Sequence, residues 1–262
     1  MIIEQDPQAT DALASFRLDG CRAVVTGASS GLGWRFAQVL DGAGARVAIV
    51  ARRADRLEEL AKELADPVLI VADLTESGSP QQVIETAAAE LGGIDVLVNN
   101  AGRGDIGPAE DDTTFRAIVE LNLNVPFELA QRCARLSLAD SSKLSIVNIT
   151  SMLGTVASRS LPQASYAASK AGLNHLTREL ANQWARSGIR VNAVAPGWFR
   201  SEMTAETMID DPKGAKYIER YTPMGRPGAV NELDGVLLFL ASNASSYVTG
   251  QVIVVDGGWT IV

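Results

Sequence analysis

Seven short runs of aliphatic and β-branched residues, separated by longer stretches with helical periodicity, constrain this 262-residue chain more than any other feature. They read CRAVVT (21–26), RVAIVA (46–51), PVLIVA (67–72), IDVLVN (94–99), LSIVNIT (144–150), IRVNAVA (189–195) and VIVVD (252–256). Near-continuous apolar runs, as opposed to strict alternation, belong to strands covered on both faces, the condition of a parallel sheet flanked by helices. Helical patterns fill the gaps at 32–42, 54–65, 81–91, 114–138, 164–187 and 230–241. Repeated strand-helix-strand units predict an α/β doubly wound fold with a parallel seven-stranded sheet and helices on both faces. No linker rich in Pro, Gly or Ser divides the chain, so residues 17–262 are expected to form one domain behind an N-terminal extension over 1–16. The stretch 198–227, with Pro212, Pro223, Pro227 and several glycines, breaks the alternation and is expected to be a substrate loop or lid.

Charge and composition exclude several classes of function. The formal net charge of −8 is the reverse of the basic footprint that phosphate-backbone binding needs, so no nucleic-acid partner is expected. Cys21 and Cys133 lie too far apart in sequence to form a CxxC redox or zinc motif. His175 is the lone histidine, which removes Ser/His/Asp triads and His-based zinc sites, and no metal is expected. The dispersed carboxylates Glu58, Glu59, Asp111 and Asp112 read as solvated faces. The N-terminal MIIEQDPQATDALASF has neither the basic nor the apolar region of a signal peptide. No apolar run approaches the roughly 20 residues of a membrane span, so a cytoplasmic location without membrane contact is the expectation.

Two local patterns suggest chemistry. The first strand runs into Thr26-Gly27-Ala28-Ser29-Ser30-Gly31-Leu32-Gly33 and then a helix, a glycine-rich turn where backbone amides and a positive helix end can hold a pyrophosphate. Farther on, Tyr166 and Lys170 stand four apart in a helical segment and share one face. A phenol with a pKa near ~10 exchanges protons poorly at neutral pH, and a neighbouring ammonium would favour its phenolate. The same spacing also describes an ordinary surface pair.

Taken together, TGxxxGxG, Asn99-Asn100-Ala101-Gly102 after the fourth strand and Tyr166-x-x-x-Lys170 resemble the short-chain dehydrogenase/reductase family, from about residue 17 to the end. The resemblance implies a single-domain Rossmann-type fold and a nicotinamide cofactor. It would place Gly27, Ser29, Ser30, Gly31, Leu32 and Gly33 at the pyrophosphate, Asp73 and Leu74 by the adenine, and Asn100, Ala101 and Gly102 along the cofactor. Pro196, Gly197, Phe199 and Ser201 would lie near the nicotinamide. It further implies that Tyr166 is the general acid/base, that Lys170 also contacts the nicotinamide ribose, that Ser151 orients the substrate oxygen, and that Asn122 holds a water beside the lysine. Ser145, Thr150, Ser158, Ser160 and Ser165 compete with Ser151 on polarity alone, and Asn124 competes with Asn122. Pro126 predicts a local kink in that helix.

The end of the second strand bears on the cofactor. NAD-preferring relatives carry an acid there for the ribose 2′-hydroxyl, whereas this chain reads Val50-Ala51-Arg52-Arg53, whose guanidiniums could pair a 2′-phosphate. NADP(H) is therefore favoured, with NAD(H) still open. The implied reaction is reversible hydride transfer between a small-molecule secondary alcohol and a ketone. The chain is similar to 3-oxoacyl-carrier-protein reductases and to sugar-acid or polyol dehydrogenases such as gluconate 5-dehydrogenase, and Trp198, Phe199, Met203, Met208 and Tyr217 in the lid suit an apolar or mixed substrate. The alternative is a catalytically inactive nucleotide-sensing protein on the same fold. Family members commonly pair through the helices carrying Asn122 and Tyr166 and through the strand segment 252–262, which implies a homotetramer or dimer.

Overall fold

A computed structural model describes residues 11–158 and 161–262. All seven expected strands form: β1 (Arg22–Thr26), β2 (Arg46–Ala51), β3 (Val68–Val71), β4 (Val96–Asn99), β5 (Leu144–Ile149), β6 (Ile189–Pro196) and β7 (Val252–Val255). They make one sheet of order β3-β2-β1-β4-β5-β6-β7, every pair parallel. The chain winds outward from β1 to β3, then crosses back to β4 and winds the other way. The crevice beyond the C-terminal ends of β1 and β4 is therefore the topological switch point, where open α/β sheets take their ligands.

Successive strand residues point to opposite faces, and the two cores follow from that alternation. Ala23 and Val25 join Phe36 and Leu40 of α1 (Gly31–Gly42), Leu57 and Leu60 of α2 (Ala54–Ala61), and Leu237 and Leu240 of α8 (Asp234–Ala241). Val24 faces the other way, with Ile84 of α3 (Ser79–Leu91), Leu129 and Cys133 of α5 (Val125–Asp140), and Leu180 of α6 (Ala164–Trp184). The two edge strands depart from the expectation of burial on both faces. Leu69 and Val71 of β3 are exposed and β7 is half-buried throughout, because an edge lacks a covering neighbour.

Several helices differ from their sequence expectations. The segment 114–138 is one rod, α4 (Phe115–Val119) continuing through a π-helical turn at Glu120–Asn124 into α5. Pro126 sits in the first turn of α5, where a missing N–H costs little, and the widened turn precedes it. α2 ends at Ala61, four residues early, in a run of turns. Within 198–227 a further helix, α7 (Pro212–Tyr221), starts with Pro212 behind an Asp211 cap that accepts from the Gly214 amide at 2.8 Å. Of the expected extension, residues 1–10 lie outside the described residues. Ala12–Phe16 form a 3-10 turn whose Phe16 ring packs 6.4 Å from Phe239. Among the described residues no helix is long and apolar enough to cross a membrane.

Candidate active site

The glycine-rich turn is folded tightly onto the end of β4. A Cβ on Gly33 would stand 2.2 Å from the Gly27 carbonyl oxygen and 2.5 Å from Asn100 Nδ2, so this position has no room for a side chain. Asn100 Nδ2 donates to the carbonyls of Thr26 (2.9 Å) and Gly27 (3.3 Å), while Thr26 Oγ1 accepts from the amides of Asn100 and Ala101. Thr26 thereby ties the two strand ends at the switch point together. Ser30, the N-cap of α1, makes no side-chain cap bond, which leaves the first-turn amides without a side-chain acceptor and suits an anion site.

Beside this turn the two arginines part company. Arg53 reaches it, donating from Nε and Nη2 to Ser29 Oγ at 3.2 and 3.0 Å and holding Glu202 through Nη1 and Nη2 at 3.0 and 3.1 Å. Arg52 projects outward, its nearest acid being Asp73 at 3.5 Å. Asp73 accepts from the amide and hydroxyl of Thr75, which, with a smaller contribution from Arg52, holds its carboxyl below the usual range. Leu74 is buried in the core. Gly197 abuts Asp256 at the end of β7, and Ser201 lies over Gly31. Phe199 turns away into the core, packed against Gly228.

The chemical groups meet where β5 ends. Ser151 Oγ accepts from the Leu153 amide at 3.1 Å and opens a 3-10 turn, Met152–Gly154. A Cβ on Gly154 would lie 2.8 Å from the Lys170 carbonyl oxygen, so the glycine lets this turn press against α6. That approach sets Tyr166, in the first turn of α6, beside Ser151 on the wall of one cavity. Burial pushes the Tyr166 phenol above its ordinary pKa, and the nearby Ser151 hydroxyl offsets part of that rise. Lys170 stands over the phenol ring without a hydrogen bond to it. Its Nζ lies 5.8 Å from the phenol ring centroid and donates to the Ile149 carbonyl at 2.9 Å, while burial pushes the lysine down to about 8. The reason is geometric: four residues of helix align two side chains on one face, but the lysine is long enough to turn toward the strand end.

Asn122, wholly buried in the π-helical turn, accepts from the Arg103 amide (2.9 Å) and donates to the Arg103 carbonyl (2.8 Å) and Ser169 Oγ (3.0 Å). It braces the 101–104 loop against α6. A Cβ on Gly102 would come within 3.2 Å of Asn122 Oδ1 and 3.4 Å of Lys170 Nζ. Asn124, by contrast, donates to Glu120 on the surface. The competing hydroxyls are engaged elsewhere: Ser145 donates to the Leu240 carbonyl, Thr150 to the Val194 carbonyl, and Ser158 accepts from the Leu161 amide. Ser165 sits buried at the start of α6, and Ser160 lies outside the described residues.

A cavity of about 300 Å³ opens onto Ser151 and Tyr166. Met152, Leu153, Leu161, Trp198, Met203 and Met208 give it apolar walls, and Asp105, Gln163 and Thr204 add polar groups. Of the aromatic and methionine side chains in 198–227, Trp198, Met203 and Met208 line this cavity, whereas Tyr217 packs on Tyr221, ring centroids 4.7 Å apart. Sequence reasoning missed Asp105, Gln163 and Glu202, since each lies in irregular chain whose path only the tertiary fold determines. Thr204 was equally hidden, yet it organises the loop by accepting from the Ser201 amide and donating to the Phe199 carbonyl. His175 is a surface residue 3.7 Å from Glu179, and among the described residues no cluster of potential metal ligands exists.

The comparisons with known proteins agree with this arrangement. A family model described as enoyl-(acyl carrier protein) reductase matches residues 27–260. Galactitol 2-dehydrogenase (L-tagatose-forming) of Cereibacter sphaeroides is 40% identical, over 94% of this chain and 97% of that protein. A crystal structure of a gluconate 5-dehydrogenase from Burkholderia cenocepacia J2315, in complex with NADP and tartrate, superposes with a TM-score of 0.89 at 36% identity, covering 96% of this chain and all of that one. A short-chain type dehydrogenase/reductase from Mycobacterium marinum superposes with a TM-score of 0.88 at 36% identity, over 95% of this chain and 99% of that one. Sequence motifs, sheet order and whole-length similarity converge, and the chain belongs to the short-chain dehydrogenase/reductase family.

Proposed function

We propose that the chain is an NADP(H)-dependent oxidoreductase that interconverts a neutral secondary alcohol, of the polyol class, and the corresponding ketone. The observation that carries the reaction type is the juxtaposition of the Ser151 and Tyr166 hydroxyl-bearing side chains on the wall of one cavity. The residues fit the cofactor: the turn closes over Gly33 without room for a side chain, and Arg53 lies at Ser29 where a 2′-phosphate would need a cation. Gly27 to Gly33, Asn100, Ala101, Gly102, Pro196, Gly197 and Ser201 would hold it. Bound NADP(H) supplies or accepts the hydride at the carbonyl carbon.

The chain's own groups do the rest. Tyr166 gives the proton to the substrate oxygen in reduction and takes it in oxidation, and Ser151 holds that oxygen beside the phenol. Lys170 tunes the site and positions the ribose, and Asn122 fixes the loop and helix between which the lysine passes. Residues 198–227 act as the substrate loop through Trp198, Met203, Thr204 and Met208. The enzyme works as a homotetramer.

Charge favours the polyol class. The one charged side chain among the described residues lining the cavity is Asp105, which repels a carboxylate substrate and accepts from hydroxyl groups. The 40% identity to a galactitol 2-dehydrogenase supports the same reading. Coenzyme turnover measured with galactitol and neutral ketoses, with gluconate and ketogluconates, and with 3-oxoacyl thioesters tests it. Neutral substrates are expected to give the highest kcat/KM, and a preference for acids or thioesters overturns the substrate class. Tyr166→Phe is expected to lower turnover by about 10³-fold or more while keeping coenzyme affinity. Turnover near the wild-type rate would overturn the mechanism. No turnover by the wild type on any substrate would favour the nucleotide-sensing alternative.

A further inference from the structure

The Arg53 guanidinium is already engaged by an anion of this chain. Glu202, from the substrate loop, faces it with both oxygens, at 3.0 Å from Nη1 and 3.1 Å from Nη2, the fork-to-fork geometry that a phosphate would otherwise use. Arg53, with a smaller contribution from the Ser30 hydroxyl, holds this carboxyl below its ordinary pKa, and its neighbour Ser201 lies over Gly31. Ser29, Ser30 and Arg53 are thus all in contact with, or beside, a carboxylate brought in from more than a hundred residues away. Arg53 and Glu202 form a neutral pair, and a cation already neutralised attracts a second anion weakly.

We propose that Glu202 is an internal competitor for the 2′-phosphate of the coenzyme: the phosphate can take Arg53 only by displacing this carboxylate. Glu202 is thereby a determinant of NADP(H) against NAD(H) selectivity, and it couples the 2′-phosphate to the substrate loop. A coenzyme without the phosphate leaves the ion pair intact. A 2′-phosphorylated one breaks it and releases the Glu202 side chain from the turn, loosening the loop around it. The inference rests on the NADP(H) reading above. Glu202 is a positioning residue here, acting through Arg53, and it lies outside the reacting centre.

Calorimetric titration with 2′,5′-ADP and 5′-AMP, which carry the adenine end of the coenzyme with and without the 2′-phosphate, tests both statements. The wild type is expected to bind 2′,5′-ADP more tightly than 5′-AMP, and equal affinities would overturn the NADP(H) reading itself. Glu202→Gln is expected to tighten 2′,5′-ADP about two- to fivefold, the scale of one partly exposed ion pair removed as a competitor, with 5′-AMP unchanged. The gain should shrink as salt is raised. Arg53→Gln is expected to abolish the difference between the two nucleotides. An unchanged or weakened affinity of Glu202→Gln for 2′,5′-ADP overturns the competition, because a carboxylate that merely held Arg53 in place would weaken binding when lost. Hydrogen exchange supplies the loop readout: amides of 201–205 should exchange faster with 2′,5′-ADP bound than with 5′-AMP, and equal rates overturn the coupling.

Discussion

Tyr166 is the residue at which two physical effects oppose each other. Burial favours its neutral phenol, and the nearby Ser151 hydroxyl favours the phenolate, with burial the larger. Alcohol oxidation needs the phenolate as proton acceptor, so its kcat/KM should rise with pH toward the alkaline side, while ketone reduction needs the phenol and should fall there. Removing the Ser151 hydroxyl takes away the influence that lowers the pKa. The alkaline limb of oxidation in Ser151→Ala is therefore expected to move to higher pH by about one to two units, the worth of one hydrogen bond to a charged group. Reduction should hold its plateau over the same added range. The check is the pH dependence of kcat/KM in both directions for wild type and variant, and coincident midpoints would show that Ser151 does not tune the phenol. Lys170, pushed down to about 8, loses its charge at lower pH than the phenol ionises, so the comparison between variants matters more than either profile alone.

Between elements, the spacing of the turn after β5 and helix α6 sets the site. A Cβ at Gly154 would meet Lys170 backbone at 2.8 Å and Asn174 Nδ2 at 2.7 Å, so Gly154→Ala must push the two apart. The expected cost is about 1–3 kcal/mol of stability, as for other overpacked sites, read as a lower midpoint in denaturant. Its kinetic signature should be a fall in kcat that exceeds any loss of coenzyme affinity, because Tyr166 and Lys170 ride on α6 whereas the nucleotide turn is built on β1 and α1. A loss confined to coenzyme binding would contradict that separation. Nothing in the sequence marks Gly154, whereas all seven strands were legible because each is an uninterrupted apolar run bounded by turn residues. The same physics explains the misreadings. Leu69 and Val71 look like interior strand residues, but burial of an apolar side chain depends on which strand ends up at the edge. Asn122 and Asn124 are indistinguishable on polarity, and the π-helical turn decides which one points inward. Asp105, Gln163 and Glu202 acquire their roles from where loops cross, which no local periodicity encodes.

For the whole molecule, the question is what covers its exposed apolar surface. Phe115 of α4 and Phe127, Leu136 and Leu138 of α5 are all exposed, as are Ile261 and Val262 at the C-terminus, next to the half-buried edge strand β7. Scattered surface leucines need no partner, but four large apolar side chains on one helical rod together with an uncovered sheet edge are what an isolated subunit presents before assembly. A second copy of the chain would supply the same surface in return, as a twofold contact requires, and two such contacts on different faces would generate a tetramer. Sedimentation of the wild type is expected to give a tetramer at micromolar concentration. Phe127→Glu places a charge in the helical contact and should yield a smaller species, with coenzyme binding retained because the nucleotide turn lies on other elements. A monomeric wild type would remove the premise, and a Phe127→Glu tetramer would place the contact elsewhere.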